Sequence, residues 1–168
     1  MTRQVECYEP MQAATKTIFG VYVSPKRGEG KIAVDSAELV ADYGIQGDAH
    51  AGQNPHRQIS LFEVEVLREL AADNIQVAPE SLSANLITEG INLRALEPGA
   101  CLRVGEAIIE LCETRKPCGS LTKLDHRLPK RLYQQCGLMG RILKGGVVRP
   151  GAEVELLSLP GEQAQSGE

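Results

Sequence analysis

The feature that most constrains this fold is the density of its breaks. Glycine and proline interrupt the chain at Pro25–Gly30, across Gly44–Pro55, and at Pro98-Gly99, Gly105, Gly145-Gly146 and Pro150-Gly151. Few stretches between them are long enough for a helix. Most read as short strands: Thr17–Val23, Lys31–Val40 (marked by Ile32 and Val34), Arg57–Leu61, Cys101–Val104, Ala107–Glu113 and Val154–Leu159. Pro79–Asn92 is irregular apart from the apolar pair Leu86-Ile87. Glu63–Ala72 has helical spacing, with Val64, Leu67, Leu70 and Ala71 on one face. Ser60 is its expected N-cap, with Glu63 three residues on. Thr122–Cys136 reads as helical in part, started or kinked by Pro129. Many closely spaced strands and only two helical segments predict a mainly β fold, a closed or nearly closed β-barrel with a few short helices.

With 168 residues the chain suits a single domain. The expected organisation is a flexible lead-in over 1–16, one domain over 17–160, and a disordered tail over 161–168. A net charge of −4 gives nucleic-acid binding no global electrostatic support. No apolar run reaches membrane-spanning length. Met1–Pro10 lacks the apolar centre of a signal peptide, so the default location is cytoplasmic. Pro98–Val104 and Pro150–Leu156 echo one another, which reads as a recurring turn-then-strand solution.

Five cysteines, Cys7, Cys101, Cys112, Cys118 and Cys136, form no CxxC pair. Neither a disulfide framework nor a four-thiolate zinc site fits. Cys101 and Cys112 sit in apolar strand patterns and read as core residues. Cys118 differs. In Arg115-Lys116-Pro117-Cys118-Gly119 two cations precede it, and these and a following helix N-terminus would favour the reactive thiolate. A second cluster runs from Gly44 to Gly52 with Asp48 and His50, then continues to His56 and Arg57. A glycine-rich loop of this kind presents N–H groups to an anion, and Arg57 can grip a phosphate. The spacing of His50 and His56 is weak support for a zinc site completed by Cys118. Asn85 and Arg141 are polar and charged candidates outside these clusters.

Taken in order, these segments resemble the MOSC family, the domain named after the C-terminal part of molybdenum-cofactor sulfurases. The matching pieces are Gly44–Gly52, His56–Leu61, Asn85-Leu86, Gly90–Leu93, Pro98-Gly99, Leu102–Gly105, Arg115–Cys118, Gly140-Arg141 and Gly145–Gly151, spread over roughly Gly20 to Leu157. The resemblance implies a strand-rich barrel with Cys118 at the mouth of a pocket, as a ligand of molybdenum in a pterin cofactor or as a persulfide carrier. It implies Arg57, Arg115 and Arg141 for the cofactor phosphate, and Asn85 and His56 for its polar groups, with Asp48 and His50 in the same loop cluster. One departure stands out: Ala84 occupies a position where many members carry Glu. The implied function is a molybdenum-cofactor-binding or sulfur-carrying protein, served by a separate sulfur or electron donor. The alternatives are a reductase component acting on N-hydroxylated bases or amines, and a pocket for another phosphate-bearing ligand. Pyridoxal phosphate is disfavoured, because no Schiff-base lysine is evident.

Overall fold

The computed structural model describes residues 15–158. Cys7, nearly all of the expected lead-in and the expected tail lie outside the described residues. Eleven strands and two α-helices occur among those described: β1 (Thr17–Val23), β2 (Ile32–Val34), β3 (Ala37–Val40), β4 (Gly44–Ile45), β5 (Ile59–Glu63), α1 (Val64–Ala72), β6 (Leu86–Glu89), β7 (Cys101–Val104), β8 (Ala107–Thr114), α2 (Leu128–Arg131), β9 (Leu138–Lys144), β10 (Gly146–Val148) and β11 (Val154–Ser158). The fold is mainly β with few helices, as expected.

The strands form one eight-stranded sheet, in the order β11-β7-β8-β9-β5-β6-β1-β2, and one three-stranded sheet, β10-β3-β4. Neither sheet closes, which corrects the expected barrel. Closure would need a ladder between the sheet's two flanks. Instead β1 meets the start of β11 through one isolated bridge, Thr17 to Glu153, and a few bonds such as Ile18 N–H to the Ala152 carbonyl at 2.9 Å. Along its other half the same side of β1 is taken by β2.

Two apolar cores flank the larger sheet. One gathers Ile18, Leu39, Ile59, Leu61, Leu86, Leu102, Ile109 and Ile142. The other packs Phe62, Leu70, Ile87, Leu121, Leu128 and Leu132 around α1 and α2. Alternation along β5 serves both: Ile59 and Leu61 face the first core, Phe62 the second. Fully burying Phe62 contributes on the order of 2–3 kcal/mol. β5 and β6 run parallel, with α1 in the crossover between them. A parallel pair cannot be joined by a tight turn, so this crossover brings the loop before β6 beside β5.

Several local expectations shift. Ser60 does not cap α1. It lies inside β5, the helix begins at Val64, and Glu63 occupies the N-cap position without a side-chain cap bond. Ser60 Oγ is instead held by Asn85. The expected strand over Lys31–Val40 divides into β2 and β3. The glycine-rich loop contains the two-residue strand β4. The irregular region yields β6. The helical expectation over Thr122–Cys136 reduces to a 3-10 turn ending at Lys123 and the single turn of α2, with Pro129 in its first turn.

Candidate functional site

The loop following β4 is tied to the sheet through Asp48, whose carboxylate is buried. Asp48 Oδ2 accepts the Ser24 N–H at 3.0 Å, and Oδ1 accepts the His50 N–H at 2.8 Å. Burial pushes this carboxyl up, but the two N–H donors and the Lys31 ammonium outweigh it and hold it below the ordinary carboxylate range. Lys31 is itself buried, with Nζ 3.4 Å from Asp48 Oδ2 and 3.1 Å from Ser24 Oγ. Desolvation lowers its pKa despite Asp48.

Asn85 joins this group to the sheet. Its Oδ1 accepts from the Ser60 N–H and the Ser60 hydroxyl, both at 3.1 Å. Its Nδ2 donates to the Tyr22 carbonyl at 3.1 Å and to Asp48 Oδ2 at 3.2 Å. An amide has two donor hydrogens and two acceptor lone pairs, so its capacity is filled within the fold.

Above this framework opens a cavity of about 490 Å³ lined by Lys31, His50, Gln53, Asn54, Arg57, Ser60, Ser83, Asn85, Arg115 and Met139. Arg115 leaves β8 just past Thr114 and turns inward. Its guanidinium donates to the Leu82 carbonyl at 3.0 Å and the Cys136 carbonyl at 3.3 Å. Desolvation lowers its pKa, and Arg57 adds to the effect. Arg57 pairs with Glu113 at 2.9 Å and Lys31 with Asp48, whereas Arg115 has no carboxylate partner among the described residues. The cavity therefore carries an excess of positive charge, centred on a partly desolvated guanidinium, and it can hold an anion.

The expected site residues separate into two groups. Arg57, Arg115, Asn85 and His50 line one cavity, with Asp48 directly beneath. Arg141 does not join them: it lies on β9 and pairs with Asp42 at 2.5 Å. His56 is exposed and outside the lining, its backbone N–H bonded to Asn54 Oδ1. Cys118 is exposed and also outside the lining. The Ser120 hydroxyl donates to its Sγ at 3.1 Å. This bond, the Ser120 backbone N–H and nearby Arg115 hold the thiol below its usual pKa. The following 3-10 turn, Gly119–Lys123, has only five residues, so the expected helix N-terminus is not formed. Ala84 is fully buried within the second core, where a carboxylate would be desolvated. No group of three His, Cys, Asp or Glu residues that could hold a metal occurs among the described residues. Lys31, Ser60 and Ser83 are lining residues that sequence reasoning missed. The only signal for Lys31 was its place at the start of a strand after Gly28–Gly30.

Residues 46–155 match the family profile described as MOSC domain, well over half of the chain. This protein belongs to the MOSC domain family. As a MOSC protein it is 29% identical over 143 residues to protein YiiM of Escherichia coli (strain K12), covering 76% of this chain. It spans 62% of that relative's length. Among solved structures, the YUAD protein of Bacillus subtilis superposes with a TM-score of 0.74 at 22% identity, covering 84% of this chain and 95% of that one. YiiM from Escherichia coli superposes with a TM-score of 0.65 at 26% identity, covering 83% and 68%. The MOSC match includes every residue of the cationic cavity except Lys31.

Proposed function

We propose that this MOSC protein binds a molybdenum cofactor, with its phosphate in the cationic cavity and Cys118 as metal ligand or as a sulfur carrier in persulfide form. The observation that supports it is Arg115, a partly desolvated guanidinium without a carboxylate partner among the described residues, beside Arg57 and Lys31 in one cavity. Such a group gains most from a bound dianion. The donor chemistry fits: Cys118 offers an exposed soft thiolate, and a dithiolene-bound metal is completed by a soft ligand of that kind. When bound, the cofactor would supply a redox-active metal. Arg115, Arg57 and Lys31 would hold its phosphate, and His50 and Gln53 lie on the same wall. Asp48 and Asn85 keep Lys31 and the loop in place. Ser120 favours the Cys118 thiolate, the form required of a ligand or nucleophile. As a carrier, the thiolate would attack the outer sulfur of a donor persulfide and release the donor thiolate.

The test is elemental analysis for molybdenum on protein from a cofactor-competent cytoplasm, beside Cys118→Ser. Near-stoichiometric metal lost in the variant supports ligation. Absence of metal from both, with a persulfide on Cys118 by mass spectrometry, supports sulfur carriage. Absence of both refutes the proposal.

A further inference from the structure

A second cavity shares no lining residue with the first. It has a volume of about 490 Å³ and is lined by Glu63, Leu93, Arg94, Leu96, Thr114, Tyr133, Gln134, Gln135, Gly137 and Leu138. Its floor is an extension of the first core. Ile59 and Leu61 face that core, and Glu63 follows on the same face of β5. Its side chain is only 4% exposed, an expensive place for a carboxylate.

The two oxygens of Glu63 are treated differently. Oε1 accepts the Leu93 N–H and, at 3.3 Å, the Arg94 N–H. Oε2 is buried and receives no hydrogen bond; Arg94 Nε is 3.1 Å away, without the alignment of one. Arg94 is divided further, lying 3.5 Å from Glu69 and donating to Gln135 Oε1 at 3.1 Å. Burial raises the Glu63 pKa against the opposing pull of Arg94 and the two N–H donors, and the nearby Glu65 carboxylate adds a smaller push in the same upward direction. Glu63 and Glu69 thus share one guanidinium, with the Glu65 carboxylate close by. The rest of the wall mixes apolar side chains (Leu93, Leu96, Leu138) with neutral polar ones (Thr114, Gln134, Gln135) and the aromatic Tyr133, which is 66% exposed.

We propose that this cavity binds a small organic cation with N–H donors, of the amine or guanidine class. Its charged end sits on Glu63 Oε2, and its aliphatic stem lies against Leu93, Leu96 and Leu138. An N–H donor supplies the missing bond, and its charge offsets the local excess of carboxylate. Tyr133 offers a ring face for the cation. Arg94 keeps Glu69 as its charge partner and Gln135 as a hydrogen-bond acceptor when the ligand takes its place on Oε2. The cavity volume falls within the range of small-molecule sites.

The experiment is an amide NMR titration of the full chain with agmatine and n-butylammonium, with tetramethylammonium as a cation lacking N–H donors. Saturable shifts at the Leu93, Arg94, Gln135 and Gly137 amides are expected, with a Kd on the order of 1 mM or tighter. Glu63→Gln keeps an oxygen for the Leu93 and Arg94 N–H groups and should weaken agmatine about tenfold or more. Tyr133→Ala, at an exposed site, should weaken it severalfold and decides the matter should Glu63→Gln fail to fold. Absence of saturable shifts, equal binding of tetramethylammonium, or wild-type affinity in the folded variants would each overturn the proposal.

Discussion

Replacing Asn85 with alanine removes a side chain that ties β5, β6, β1 and the Asp48 loop together. Four hydrogen bonds disappear, at 3.1, 3.1, 3.1 and 3.2 Å. Three are neutral, each contributing about 1 kcal/mol, and the one to Asp48 is charge-assisted, at about 1.5–3 kcal/mol. Some of this is recovered. Ser60 Oγ keeps the Ser83 carbonyl, and Asp48 keeps Ser24, His50 and Lys31. The net loss should be about 3–4 kcal/mol, a large share of the stability of an ordinary domain. Urea unfolding followed by circular dichroism should show the midpoint falling at unchanged slope. Calorimetry should show Tm falling by roughly 6–16 °C. A loss below about 1 kcal/mol would refute the view that Asn85 is a framework residue and return it to the role of a ligand contact.

Alkylation by iodoacetamide with peptide mapping should modify Cys118 ahead of buried Cys101 and Cys136, and Ser120→Ala should slow it; Cys136 reacting first would contradict the thiolate assignment. Gly137→Ala should cost more than about 3 kcal/mol or prevent folding, because φ is +87° and a Cβ would meet the Leu61 carbonyl oxygen at 1.9 Å; soluble protein of near-native Tm would show that β9 can shift. The Asp48 pKa is lower folded than unfolded, so its stabilisation is present above its ordinary value of 3.8 and is lost as pH falls toward the folded value. Asp48→Asn should therefore lower stability at neutral pH and flatten the acid limb of the pH–stability curve, whereas an unchanged limb would assign acid unfolding to other carboxylates.

The strands were legible because their ends are written locally, in Pro98-Gly99, Gly105 and Pro150-Gly151. Sheet closure was not, because it depends on which distant strands find edges. The echo between Pro98–Val104 and Pro150–Leu156 places its two members side by side, with Val154 opposite Val104 and Leu156 opposite Leu102. At β2 simple alternation failed. Lys31 is buried while Ile32 is 49% exposed, because Asp48 and Ser24 give the ammonium partners that no local pattern announces. Arg57, Asn85 and Arg115 came together as candidates because their motifs sit at strand ends. Arg141 did not, because its partner, Asp42, is remote in sequence. The Glu63 cavity was invisible for a different reason: a residue read as part of a helix start sits instead on the inward face of a strand.

The pairing of β7 with β11 has a consequence for how the molecule is made. On the ribosome, β7 and β8 emerge long before Val154 does, so the outer edge of β7 waits unpaired until the last described strand appears. A chain arrested in that interval shows bare N–H and C=O groups alongside Leu102 and Val104, a template for another stalled copy. The arrival of β11, rather than any single turn or helix, is therefore the event that protects this sheet from its own kind.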